Sequence, residues 1–280
     1  MASNLTRVFR QNKKAFIPFI TAGHPDLETT REIILSLARK GSAVIEIGIP
    51  FSDPVADGPI IQRSSFAALQ HGYEISDYIE LVRQVRSETD VGLIFMTYLN
   101  PVLQYGLRRL DREASAAGLD GVLISDLTPE EYLLLSRRGE MSDLDARDSA
   151  ARQGGDEELF QQLDTVFLAA PTSSESRLEL ISQVSTGFVY LIARTGVTGK
   201  QTEIDQTLSL AVDKIRAYTE LPVAIGFGIQ SRLDVEKVWQ YADAAVVGSA
   251  IVQFIESHQG STDLPEQVAS FVRDQFLPAV

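Results

Sequence analysis

The stretch "VIEIGIPFSDPVADGP" runs from Val44 to Pro59. Its first six residues are apolar except for Glu46, and the rest is a loop with three prolines and two acids, Asp53 and Asp57. A strand that is apolar on both faces belongs in a parallel sheet covered on both sides. The same unit, a short apolar run followed by a helical pattern, recurs along the chain. The other runs are "AFIPFIT" (15–21), "VGLIFMT" (91–97), "GVLIS" (121–125), "TVFLAA" (165–170), "FVYLIA" (188–193), "PVAIGF" (222–227) and "AAVVG" (244–248). Between the first two runs lies "DLETTREIILSLARKG", with Asp26 placed to cap a helix and Gly41 placed to end it. Eight such units predict an α/β chain folded as one closed (β/α)8 TIM barrel rather than an open sheet.

Strand side chains alternate between faces. Ile45, Ile47 and Ile49 therefore share the face that packs on outer helices, and Val44, Glu46 and Gly48 share the inner one. An acid turned into a barrel is short of water, which raises its pKa and suits it to general acid–base work. A structural acid paired with a buried Arg or Lys is an equal alternative for Glu46 from this stretch alone. The loop "PFSDPVADGP" lies at the strand's C-terminal end, the active face of a barrel. Singly, Asp53 and Asp57 read as turn residues. In combination, an inward acid followed eleven residues later by a loop acid can flank one substrate.

Three late segments point to a phosphate. "RTGVTG" (194–199) follows the sixth strand, "GFGI" (226–229) the seventh, and "GSAIV" (248–252) follows the eighth and opens a helix. Glycines let backbone N–H groups approach oxygens, and a helix N-terminus adds its positive dipole end. Each could be only a tight turn, but together they sit where barrels often bind phosphate.

The chain has 280 residues, 25 Lys and Arg against 38 Asp and Glu, and a formal charge of −13. Such an acidic surface repels nucleic acid and anionic membranes. With no cysteine there is no disulfide, reactive thiol or thiolate metal site. His24, His71 and His258 are far apart in sequence and have no ligand spacing, so no metal is expected. "MASNLTRVFRQNKK" lacks a signal peptide's apolar core, and no apolar run reaches the roughly 18–20 residues that span a bilayer. A soluble, cytoplasmic protein is expected. No Pro- or Ser-rich linker divides it, so one domain over residues 1–280 is expected. The charged segment "RRGEMSDLDARDSAARQGGDEE" (137–158), between the fourth helix and fifth strand, reads as a tolerated surface insertion on the face away from the site.

Six motifs, "FIPFITAGHPD", "EIGIPFSDPVADGPIIQ", "MTYLNPVLQYG", "ARTGVTG", "GFGI" and "VVGSAIV", together make the chain resemble the tryptophan synthase α-subunit family along nearly its whole length. The second is highly specific; the glycine motifs are shared with many phosphate-binding barrels. The resemblance implies a lyase that cleaves indole-3-glycerol phosphate to indole and glyceraldehyde 3-phosphate in tryptophan biosynthesis. Asp57 matches the acid that bonds the indole N–H, and Glu46 the proton shuttle at C3 and the glyceryl hydroxyl. Phe19, Ile61, Tyr98, Tyr190 and Phe227 match the indole pocket, and Thr198 the loop residue that positions the catalytic Asp. Gly199, Gly228, Gly248 and Ser249 match the phosphate cradle. Asp53, Asn100, Pro101 and Asp126 match the face that meets a β subunit in an α2β2 heterotetramer. The chain needs no cofactor of its own on this reading, pyridoxal phosphate being expected only in the β subunit. "ARTG" and "LTPEE" depart from the family's commoner wording without touching a catalytic position, and the insertion has no family counterpart. Another phosphate-binding barrel enzyme, such as a sugar-phosphate epimerase or isomerase, and a non-catalytic partner that only activates a β subunit are the alternatives.

Overall fold

The computed structural model describes residues 4–138, 159–192, 201–226 and 228–278. Helix α1 (Asn4–Gln11) leads into strand β1 (Ala15–Thr21), α2 (Leu27–Arg39), β2 (Val44–Gly48), α3 (Pro59–Leu69) and α4 (Ile75–Arg86). The chain continues through β3 (Gly92–Thr97), α5 (Leu99–Tyr105), α6 (Leu107–Ala117), β4 (Gly121–Ile124) and α7 (Pro129–Arg138). Then come β5 (Asp164–Ala169), α8 (Glu175–Val184), β6 (Val189–Ile192), α9 (Gln201–Arg216), β7 (Val223–Gly226) and α10 (Arg232–Tyr241). The last elements are β8 (Ala244–Val247), α11 (Ser249–Ser257) and α12 (Leu264–Phe276). The strands pair in chain order, all parallel, and β1 closes on β8 from Ala15↔Ala244 to Pro18↔Val247. Each apolar run in the sequence is a strand to within two residues.

The barrel has two apolar layers. Val44, Ile94, Leu123, Val166 and Ala224 belong to the interior cluster, whereas Ile45, Ile47, Phe95 and Ile225 belong to the jacket between strands and helices. The predicted alternation of β2 is therefore the observed one. Local chemistry fixes the helix ends: the Asp26 carboxylate accepts from Thr29 N–H at 2.7 Å, and Gly41 turns the chain at φ +97° after α2. In "LTPEE", Thr128 and Glu131 form a reciprocal cap on α7, with Glu131 N–H donating to Thr128 Oγ1 (3.2 Å) and Thr128 N–H to Glu131 Oε2 (3.1 Å). Residues 139–158 of the charged insertion lie outside the described residues. Where the chain resumes, Asp111 on α6 accepts from the N–H groups of Gln161, Gln162 and Leu163 at 3.1, 3.1 and 2.9 Å. No described helix is long and apolar enough to cross a membrane.

Helix α1 was not anticipated from the sequence. It stoppers the barrel floor with Leu5, Val8 and Phe9, spaced to share one helical face and all buried in the interior cluster. Leu5 fits because its surroundings lack side chains. A Cβ on Gly121 or Gly187 would lie 3.0 Å from Leu5 Cδ1, and one on Gly92 would lie 3.3 Å from Leu5 Cδ2. Phe9 meets Phe188 with ring centroids 5.5 Å apart. Leu5→Ala should thus leave a hole that the rigid strands cannot fill, destabilising the chain by about 2–5 kcal/mol. Urea unfolding measures this, and a change below about 1 kcal/mol would show that the floor collapses freely around the gap.

Candidate active site

Glu46 stands in the middle of β2, beside Phe19 on β1 and Ile94 on β3. It is 1% exposed, and its Oε1 has no hydrogen-bond partner among the described residues. No described Lys or Arg forms an ion pair with it, so the structural-pair alternative has no support there. Burial, and secondarily the Asp57 charge, pushes the Glu46 carboxyl up to about 8.

Asp57 is half-buried in the loop from β2 to α3. The loop is built from tight local bonds. Val55 N–H donates to Asp53 C=O (2.9 Å), Asp57 N–H to Pro54 C=O (3.0 Å), and Gln62 Nε2 to Asp57 C=O (2.8 Å). Burial raises the Asp57 carboxyl above the ordinary carboxylate range, and the nearby Tyr98 hydroxyl offsets only part of that rise. Tyr98 itself is buried, and burial first, then Asp57, raises its phenol above the ordinary value.

Tyr190 on β6 completes the group. Burial, then the charges of Glu46 and Asp57, drive its phenol well above the usual value. Its hydroxyl occupies the space over Gly226, where a Cβ would fall 2.0 Å from it. That glycine was read in the sequence only as part of a phosphate turn; in the structure it makes room for a phenol. Gly48 does the same for Phe19, whose ring would lie 2.4 Å from an added Cβ. Phe19 also touches the Gly248 turn, at 3.4 Å from a Cβ there, and so spans the distance between the Glu46 strand and the head of α11.

The remaining expected residues divide into four groups. Ile61 lies half-buried in the first turn of α3, just beyond the Asp57 loop. Gly228 has φ +31°, in the region that favours glycine, and Gly248 and Ser249 form the head of α11. Thr198, Gly199 and Phe227 lie outside the described residues. On the surface, Asp126 accepts from Leu99 N–H at 2.6 Å, which places it against α5 beside Asn100 and Pro101. Asp53 is exposed on the loop and accepts from the Ser52 hydroxyl at 2.6 Å. Val55 (83% exposed) and Leu103 (40%) are apolar residues on the same two segments. A cleft of about 620 Å³ opens beside the loop against α3 and α11, but neither Glu46 nor Asp57 lines it, and Arg63 and Glu256 pair within it at 2.9 Å.

The family model described as tryptophan synthase alpha chain matches residues 5–276. The tryptophan synthase alpha chain of Solibacter usitatus is 42% identical over 265 residues, covering 95% of this chain and 92% of that one. The Geotalea uraniireducens alpha chain is 42% identical over 272 residues, covering 97% and 94%. Among solved structures, tryptophan synthase subunit alpha from Legionella pneumophila superposes with a TM-score of 0.81 at 31% identity, covering 96% of this chain and 95% of that one. A crystal structure of tryptophan synthase from M. tuberculosis superposes with a TM-score of 0.76 at 32% identity, covering 98% and 100%. A closed barrel carrying two perturbed carboxyls at one mouth, matched along almost its full length by these relatives, belongs to the tryptophan synthase alpha chain family of enzymes of tryptophan biosynthesis.

Proposed function

We propose that Glu46 and Asp57 divide the acid–base work of cleaving indole-3-glycerol phosphate into indole and glyceraldehyde 3-phosphate. The observation that carries this reading is that two neighbouring carboxyls are unequally enclosed: Glu46 is wholly buried with an unpartnered oxygen, whereas Asp57 stands half-buried in the loop. Environments that push two acids apart assign them different roles. Protonated at neutral pH, Glu46 gives its proton to indole C3. Ionised Asp57 bonds the ring N–H and steadies the cation that results. The bond from C3 to the glyceryl carbon then breaks, and its electron pair returns to the ring. The hydroxyl on that carbon becomes the aldehyde as its proton passes to Glu46, which restores the starting form. Phe19, Ile61, Tyr98 and Tyr190 supply flat walls for the ring. Gly228, Gly248 and Ser249 supply backbone N–H groups for the phosphate, with α11 directing its N-terminus there. Every proton in this sequence is carried by side chains of this chain.

The partner on this reading is a tryptophan synthase β subunit, docking on Asp53, Asn100, Pro101 and Asp126. The exposed apolar Val55 and Leu103 among them support an interface there. The test is indole release from indole-3-glycerol phosphate by the isolated chain across pH 5–9, with and without a β subunit. Turnover accelerated by the β subunit is expected. The pH profile of kcat/KM should fall on the basic side through about 8, as Glu46 loses its proton. Its acidic limb should follow protonation of Asp57. No indole under either condition would overturn the reading, as would a profile still rising beyond pH 9.

A further inference from the structure

We propose that Ser125 widens the substrate class of this site to indole rings that carry a hydroxyl or amino group on the six-membered ring. This rests on the reading of the barrel mouth as the seat of the indole ring. Alternation in β4 sets the direction of the serine side chain. Val122 and Ile124 belong to the outer jacket, whereas Leu123 belongs to the interior cluster. Ser125 extends the ladder one residue past the strand, its N–H donating to Thr97 C=O at 2.8 Å, so it follows Leu123 onto the inner face. Its Oγ is buried and has no hydrogen-bond partner among the described residues.

The neighbours of Ser125 sharpen the point. Thr97 is the register partner of Ile124, so the next residues along, Tyr98 and Ser125, stand side by side at the mouth. The Tyr98 hydroxyl is in use, accepting from Ala56 N–H of the Asp57 loop at 3.1 Å. The Ser125 hydroxyl is not. The wall beneath it is apolar, formed by Leu123 with Met96 and Leu168, which pack on the same cluster. A buried hydroxyl without a partner carries a desolvation cost that an alanine would avoid. The unsubstituted ring does not offset that cost. Its one polar group, the N–H, goes to Asp57 in the proposed reaction, and the rest of its edge is C–H. A hydroxyl or amino group on that edge supplies a donor, and the serine oxygen can accept it. The substituent is a spectator, since the bond that breaks is still the one from C3 to the glyceryl carbon.

The experiment is equilibrium binding of indole, of its 4-, 5-, 6- and 7-hydroxy derivatives and of the matching methylindoles to the intact chain, by calorimetry, in wild type and Ser125→Ala. A methyl group fills the space of the hydroxyl without its hydrogen bond. At the ring position that meets Ser125, the ratio of hydroxyindole to methylindole affinity should fall by about 3–10-fold in Ser125→Ala, the worth of one neutral hydrogen bond. The ratios at the other positions should hold. A serine with only a structural role would change all affinities together and leave every ratio where it was. The same preference should appear in kcat/KM for indole-3-glycerol phosphate bearing that hydroxyl. Ratios that shift by less than about twofold at every position would overturn the proposal while leaving the proposed function intact. Failure of indole itself to bind would sink the proposed function, and this proposal with it.

Discussion

Replacing Glu46 by Gln should cut indole formation by about 10²–10⁴-fold, the usual worth of a positioned general acid–base group. The amide fills the same space between Phe19 and Ile94 but cannot pass a proton. The loss should come with a gain in stability. Folded Glu46 titrates near 8 rather than near 4.5, so the native chain binds more protons than the unfolded one between those values. Stability contributed at this position therefore falls as pH rises through that window. Gln, neutral throughout, escapes that fall. Glu46→Gln should match wild type near pH 4 and exceed it above pH 8, by an amount on the order of a few kcal/mol. Thermal unfolding at the two pH values measures this. A variant equally active, or one less stable at high pH than at low pH relative to wild type, would remove Glu46 from the proposed role.

Asp57→Asn should be almost as damaging, through charge rather than proton transfer. A developing cation at the ring is stabilised by a fixed carboxylate in a site poor in water, and losing one such electrostatic contact costs about 10²–10³-fold in kcat. The bonds that shape the loop use backbone groups, among them Ala56 N–H to the Tyr98 hydroxyl at 3.1 Å, so the loop should keep its shape. The pH response distinguishes the two acids. Wild-type activity declines at low pH as Asp57 takes a proton, while the residual activity of Asp57→Asn should be flat there and keep its basic limb from Glu46. Stopped assays from pH 4.5 to 9 would show this, and an acidic limb surviving unchanged in the variant would assign that limb to another group.

The barrel was legible in the sequence because parallel strands buried on both faces leave continuous apolar runs. "AFIPFIT" coincides with β1 residue for residue. The inward turn of Glu46 was legible for a similar reason, since a two-residue alternation in a strand has no other reading once Ile45, Ile47 and Ile49 are turned outward. Helix α1 was not legible. Its apolar face is Leu5, Val8 and Phe9 in eight residues, too short to stand out beside the polar "RQNKK" that follows. Nor could the sequence show that Gly226 serves Tyr190, or that the Tyr98 hydroxyl accepts from Ala56 N–H. Each contact joins residues more than thirty positions apart, and a periodicity carries no information about such a pair. The phosphate reading of the late glycine segments came from their place after the last three strands, whereas the roles given to the surface residues came from resemblance alone.

The ring of strands also has a consequence for synthesis. A ribosome delivers β1 first and β8 last among the strands, yet the two are neighbours. Until residues 244–247 emerge, one edge of β1 has no native partner, and an apolar strand with open N–H and C=O groups is the kind of segment that pairs with other nascent chains. That waiting edge keeps its donors, because Pro18, the one residue of β1 without an N–H, shares the lateral direction of Phe16 and Ala22, which bond toward β2. Pairing of β8 is therefore the step that ends the longest interval of exposed strand edge in the molecule, and a chain stalled before residue 244 carries that edge open to its neighbours on the polysome.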